Sequence, residues 1–157
     1  MKNSISVQIT QTCKAGPFDP RQLKRLIRCV CLRFNLKTAA ISVILLDTTA
    51  ITDLNRKFLG RNDDTDVISF DLSEPNDRKK TFELVVNAQR AERQACARGH
   101  SFQAELALYV LHGLLHNLGF NDAKPRDAEK MHAAEDNILQ EFGYGVIYNK
   151  QISNTEK

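Results

Sequence analysis

His112 and His116 stand four residues apart in the run HGLLHNLGFND, with Gly119 and Asp122 close behind. Positions i and i+4 of a helix share a face, so two such imidazoles can each offer a nitrogen to one ion. A glycine ends the helix and lets the chain turn back, which brings Asp122, six residues after the second histidine, within reach of the same ion. Two histidines and a carboxylate suit Zn2+, and a site with three protein ligands leaves a fourth position for water. Water held there ionises near neutral pH and becomes a nucleophile. His112, His116 and Asp122 are therefore a candidate hydrolytic site for one zinc ion per chain, or another divalent metal. Two other readings of the same residues stay open. Asp122 can instead serve as the entry or N-cap residue of a following helix, which makes His132 the third ligand. The histidines can also be plain core residues of a buried helix. Gly113 occupies the place where H-E-x-x-H zinc proteases carry their glutamate base, which argues against a protease.

The helix that must carry the pair is expected from about 101 to 119. Leu106, Leu108, Val110, Leu111, Leu114, Leu115 and Leu118 make it apolar nearly all round, the mark of a core helix. Its polar exceptions, Glu105, Tyr109, His112 and His116, fall on one face and need either partners or a cleft. Ahead of it the pattern predicts strands at 4–10 and 40–46, with a helix at 20–34 between them, capped by Asp19 and opened by Pro20. Asp47 or Thr48 starts a second helix that stops at Gly60. VISFDL and TFELVVN read as a hairpin across a charged turn, and a short helix covers 88–98. A last helix is expected at about 126–142. The order predicts an α+β fold, a mixed four-stranded sheet packed by about five helices, with its first β-α-β unit parallel. The metal site falls at the C-terminal end of the central helix. One domain is expected over 1–148, with a frayed polar tail at 149–157.

A chain of 157 residues with net charge +3 is compatible with nucleic-acid binding without requiring it. Arg21, Lys24, Arg25 and Arg28 form one basic stripe, and Arg56 with Arg61 a second, both candidates to line an RNA path. Tyr109 and Phe120 flank the histidines as candidate stacking surfaces for a base. Asp66 and Glu105 are candidates to orient a ligand histidine, and Asp66 also to act as a general base. MKNSISVQIT lacks the apolar run of a secretory signal, and no stretch predicts a membrane span. The four cysteines are therefore expected to be reduced packing residues in a cytoplasmic protein.

LHGLLHNLGFND, together with LNRKFLGRNDDTDVISF at 54–70, resembles the YbeY family of metal-dependent endoribonucleases. Glu129, Met131 and Glu135 stand where that family has an E…M…E helix. The resemblance implies a zinc nuclease that cuts single-stranded RNA, acting on the 3′ end of small-subunit ribosomal RNA and in ribosome quality control. The small ribosomal subunit is the implied partner. There are departures. The family's third ligand is a histidine, where this chain has Asp122. Leu59 replaces an arginine that faces the substrate, and Phe82-Glu83-Leu84 replaces a G-D-I triplet. Leu59 and Asp122 leave room for a second function, a ribosome-assembly factor with a structural metal and little hydrolysis. A metal-dependent hydrolase of peptides or small molecules is a third, against which Gly113 speaks.

Overall fold

A computed structural model describes residues 3–145; the expected tail at 149–157 lies outside them. The strands are β1 (Ser4–Gln11), β2 (Thr38–Leu46), β3 (Val67–Asp71) and β4 (Lys80–Asn87). The helices are α1 (Pro20–Arg33), α2 (Thr48–Leu59), α3 (Ala88–Arg98), α4 (Phe102–Asn117) and α5 (Pro125–Glu141). The α+β architecture anticipated from the pattern is what forms, with strand order β1-β2-β4-β3. β1 and β2 run parallel, β2 and β4 run parallel, and β3 returns antiparallel on β4 from Val67↔Val86 to Asp71↔Phe82.

Period-two alternation sorts the sheet into two faces. Val7, Ile41, Val43, Leu45, Phe82, Leu84 and Val86 point into the main core, where they meet Leu23, Leu26 and Ile27 of α1 and the leucines of α4. Ile68 and Val85 point the other way and pack on Ile51 of α2. Beyond α2 that second face is small and polar, with Ser6, Ser42, Thr81 and Glu83, as suits a sheet face left open to water.

Helix starts follow local chemistry. Asp19 accepts from Arg21 N–H at 3.0 Å, Asp47 from Ala50 N–H at 2.8 Å, and Ser101 from Ala104 N–H at 3.2 Å. α4 runs through the middle of the core, and Leu106, Leu108, Leu111, Leu114 and Leu115 are each at most 2% exposed. Each such side chain contributes about 1.5–3 kcal/mol by burial. That rigid, buried helix is what fixes the position of its last turn.

The cysteines are free, but only Cys31 is a buried packing residue. Cys96 is exposed, which corrects the expectation that all four fill the core. It lies on the outer face of α3, whose buried positions are Ala88, Ala91 and Ala95.

Candidate metal centre

The last turn of α4 ends in a tight reversal. Leu118 caps the helix and Gly119 turns at φ +106°, a conformation that favours glycine. Phe120 N–H bonds back to the Leu115 carbonyl at 3.0 Å. The reversal points the Phe120 carbonyl at His116 Nδ1, 3.1 Å away. A carbonyl only accepts, so His116 keeps its proton on Nδ1 and leaves Nε2 bare in the neutral ring. His112 is held from the opposite side, its Nδ1 lying 3.2 Å from Glu135 Oε2 on α5.

The two free nitrogens converge. His112 Nε2 and His116 Nε2 are 3.1 Å apart, and Asp122 Oδ2 stands 3.5 Å from each. Bare nitrogen lone pairs repel at that separation unless a proton or a cation lies between them. Ligands about 2.0–2.1 Å from a tetrahedral zinc stand roughly 3.3 Å from one another, so the spacing of the trio matches the ion. Exposure rises across the three side chains, from 16% at His112 to 32% at His116 and 39% at Asp122, so the cluster is walled on one side and open on the other.

Among the described residues this trio forms a group of potential metal ligands, and His132 is not in it. His132 lies on α5, where its charge acts on Glu135. Asp122 does not cap α5, whose N-cap is Lys124, so its carboxylate is left to face the histidines.

The electrostatics are dominated by carboxylates. Burial pulls the His112 pKa down, but the hydrogen bond and charge of Glu135, followed by the charges of Asp66 and Asp122, outweigh it and raise the pKa overall. Burial raises the Glu135 carboxyl, only partly offset by His112. Three negative groups around one imidazole make a place that attracts positive charge.

The rest of the polar stripe on α4 is enclosed inside the protein, with Glu105 Oε2 left without a hydrogen-bond partner among the described residues. Glu105, fully buried, meets Arg98 Nη1 at 3.4 Å and His100 Nε2 at 3.6 Å. Burial holds its pKa above the usual carboxylate range despite Arg98. Tyr109 is 4% exposed, so it offers no surface for a base to stack on. Burial and the charges of Glu105 and Asp66 raise its pKa. Phe120 packs edge-on against Phe34, the C-cap residue of α1, centroids 5.3 Å apart, and plugs the helix end. Asp66 stays near His112 by charge, while its Oδ1 accepts from Val67 N–H at 2.8 Å.

The basic stripe of α1 begins at the far end of the molecule. Asp19 N–H donates to Gln103 at the start of α4, whereas the histidines close its end, about 20 Å along the helix. Arg21, Lys24 and Arg25 thus lie near the remote end, and Arg28 one turn further along donates to the Ile5 carbonyl at 3.3 Å. Arg56 bonds Asn62 at 3.0 Å and faces Asp53 at 3.6 Å, and Arg61 is exposed. Leu59 is 53% exposed, with Phe58 beside it at 58%.

The sequence reasoning gave Glu135 no chemical role. A signal was present: Met131, Glu135 and Ile138 fall at helical spacing, which places the glutamate inside the apolar stripe of α5.

Comparison with known proteins sets this geometry in context. A family profile described as "Endoribonuclease YbeY" matches residues 8–143. An "Endoribonuclease YbeY" of Lysinibacillus sphaericus is 36% identical over 115 residues, covering 67% of this chain and 73% of that one. Its Mycobacterium tuberculosis counterpart is 35% identical over 132 residues, covering 77% and 75%. The Myxococcus xanthus protein of the same name is 33% identical over 146 residues, covering 90% of this chain and 49% of that longer one. The solution structure of TM1509 from Thermotoga maritima shares the fold, with TM-score 0.55 and 22% identity over 98% of this chain and 95% of that one. The profile reaches from β1 to the turn after α5, and relatives a third identical span most of the same stretch: the chain belongs to the YbeY endoribonuclease family.

Proposed function

We propose that this protein is a zinc-dependent endoribonuclease that cuts single-stranded RNA, acting on the 3′ end of small-subunit ribosomal RNA and in ribosome quality control. The observation that carries the metal reading is the convergence of His112 Nε2, His116 Nε2 and Asp122 Oδ2 within 3.1–3.5 Å of one another. Membership of an endoribonuclease family supports RNA as the substrate. The ribosomal target and the ribosome as partner rest on the family resemblance of the two sequence blocks. Among the described residues no helix is long and apolar enough to cross a membrane.

His112, His116 and Asp122 would hold the ion. A bound zinc supplies a Lewis acid for a phosphodiester oxygen and acidifies a water molecule. The chain's own residues prepare the site. The Phe120 carbonyl and a Glu135 carboxylate oxygen accept hydrogen bonds from the two Nδ1–H groups, so both Nε2 lone pairs are available to an ion. The buried body of α4 holds the imidazoles in place before substrate arrives. Asp122 contributes a negative charge that a third imidazole would not.

A second reading, an RNA- or protein-binding factor of ribosome assembly with a structural metal, is favoured by one feature. An exposed Leu59 stands where the family carries an arginine. Elemental analysis of the purified protein beside Asp122→Ala, followed by an assay on a single-stranded RNA, tests both readings. One zinc per wild-type chain, lost or much weakened in the variant, with cleavage that stops on chelation, supports the nuclease. Zinc without cleavage favours the assembly factor. Absence of metal from a wild-type chain never exposed to chelator sinks the proposal.

A further inference from the structure

We propose that Glu135 is the positioning residue of the metal centre: from α5 it holds the Nδ1 proton of His112 and so aims that histidine's Nε2 at His116 and Asp122. This rests on the metal reading of the trio and adds a residue outside it. Three observations carry it. The glutamate is 0% exposed, and its Oε2 lies 3.2 Å from His112 Nδ1. Its other oxygen, Oε1, has no hydrogen-bond partner among the described residues. Its neighbours on the same face of α5 are Met131, Ile138 and Leu139, so the position belongs to the core.

A buried carboxylate with one oxygen unpaired is a poor way to stabilise a fold. A methionine or leucine would fill the same place at less cost. A carboxylate nevertheless stands here, and its one hydrogen bond goes to a candidate ligand. A carboxylate accepting from Nδ1–H fixes the ring, fixes the tautomer and makes Nε2 a stronger donor to a metal. The two histidines are then oriented by different means. His116 relies on the Phe120 carbonyl from its own helix end, whereas His112 relies on a charge brought by another helix. His132 and Asp136 also act on Glu135, with opposite signs.

The rival explanation is a structural ion pair that merely ties α5 to α4, and the two make opposite predictions for Glu135→Gln. The full-length protein, stripped of metal, is titrated with Zn2+ against a chromophoric chelator and with Co2+, read by visible absorption. Its melting temperature is measured in the metal-free state. The expected result is zinc affinity reduced about 10–100-fold, an altered Co2+ spectrum, and a metal-free melting temperature unchanged or higher. Glu135→Asp, which keeps the charge but retracts it by one methylene, should recover part of the affinity. A Glu135→Gln protein with wild-type zinc affinity and Co2+ spectrum overturns the proposal and leaves the metal reading standing. So does a variant that melts lower without metal yet binds zinc normally when folded. A wild-type chain that takes up neither ion overturns both.

Discussion

At the scale of single residues, Gly113 explains why this site lacks a glutamate beside its first histidine. A Cβ there would lie 2.8 Å from Ser69 Oγ, 2.8 Å from Val67 Cγ2 and 3.3 Å from Leu84 Cδ2. α4 approaches the sheet at this point closely enough for Ser69 Oγ to donate to the Gly113 carbonyl at 2.9 Å. The absent side chain is a packing requirement one residue away from a candidate ligand. On an exposed helix, glycine to alanine gains about 1 kcal/mol from propensity. Here the sign should reverse: Gly113→Ala is expected to destabilise by about 1–3 kcal/mol through overpacking. A lower urea midpoint would be the readout, and zinc affinity should fall with it because His112 moves with the helix. A midpoint at or above wild type would mean that Val67 and Ser69 yield freely.

At the scale of elements, α4 serves both the core and the site, and its two ends can be separated by experiment. Ser101 caps its start about 22 Å from His116 at 1.5 Å per residue. Ser101→Ala should cost about 1 kcal/mol of stability, measured by thermal or urea unfolding, while zinc binding by the folded protein stays as it was. Loss of zinc affinity in that variant would mean that the helix shifts as a rod. How much could be read from the sequence follows the range of the interactions. The caps at Asp19, Asp47 and Ser101 and the stops at Gly60 and Gly99 are local, and each element starts and ends within a few residues of where they put it. The i,i+4 histidines and the turn to Asp122 are nearly as local, and the trio does converge. The role of Glu135 is not legible in the sequence, because its partner lies 23 residues away on another helix and no periodicity says which side chain α5 will set against His112. The α1 stripe was legible as basic, but its distance from the histidines depends on how α1 docks along α4.

At the scale of the whole molecule, the core contains a group that should make the fold sensitive to alkali. Burial pushes the Cys31 thiol up to about 12 from 9.0. The folded protein thus keeps this proton over a range in which the unfolded chain has lost it. Stability is unaffected by the thiol below about pH 9 and falls as the pH rises toward 12, by about 1.4 kcal/mol per pH unit at most. Cys31→Ala should lower stability near neutral pH but flatten its decline between pH 9 and 11, as read by unfolding curves at each pH. An equally steep decline in the variant would shift the cause to other groups, Tyr144 first, whose pKa burial raises to about 12. The strand order β1-β2-β4-β3 has a further consequence, which concerns time. During synthesis β1, α1 and β2 emerge first and can pair, but the second edge of β2 finds its partner only when Asn87 has been added. At 5–20 residues per second that edge stays open for roughly 2–8 s, and β2 carries Ile41, Val43 and Leu45, three residues meant for the core. An unpaired apolar edge is a template for the wrong strand. The growing chain therefore passes through an interval of several seconds in which a neighbouring nascent chain or a holding chaperone competes with β4, and only after it closes does the ribosome deliver the helix that bears the two histidines.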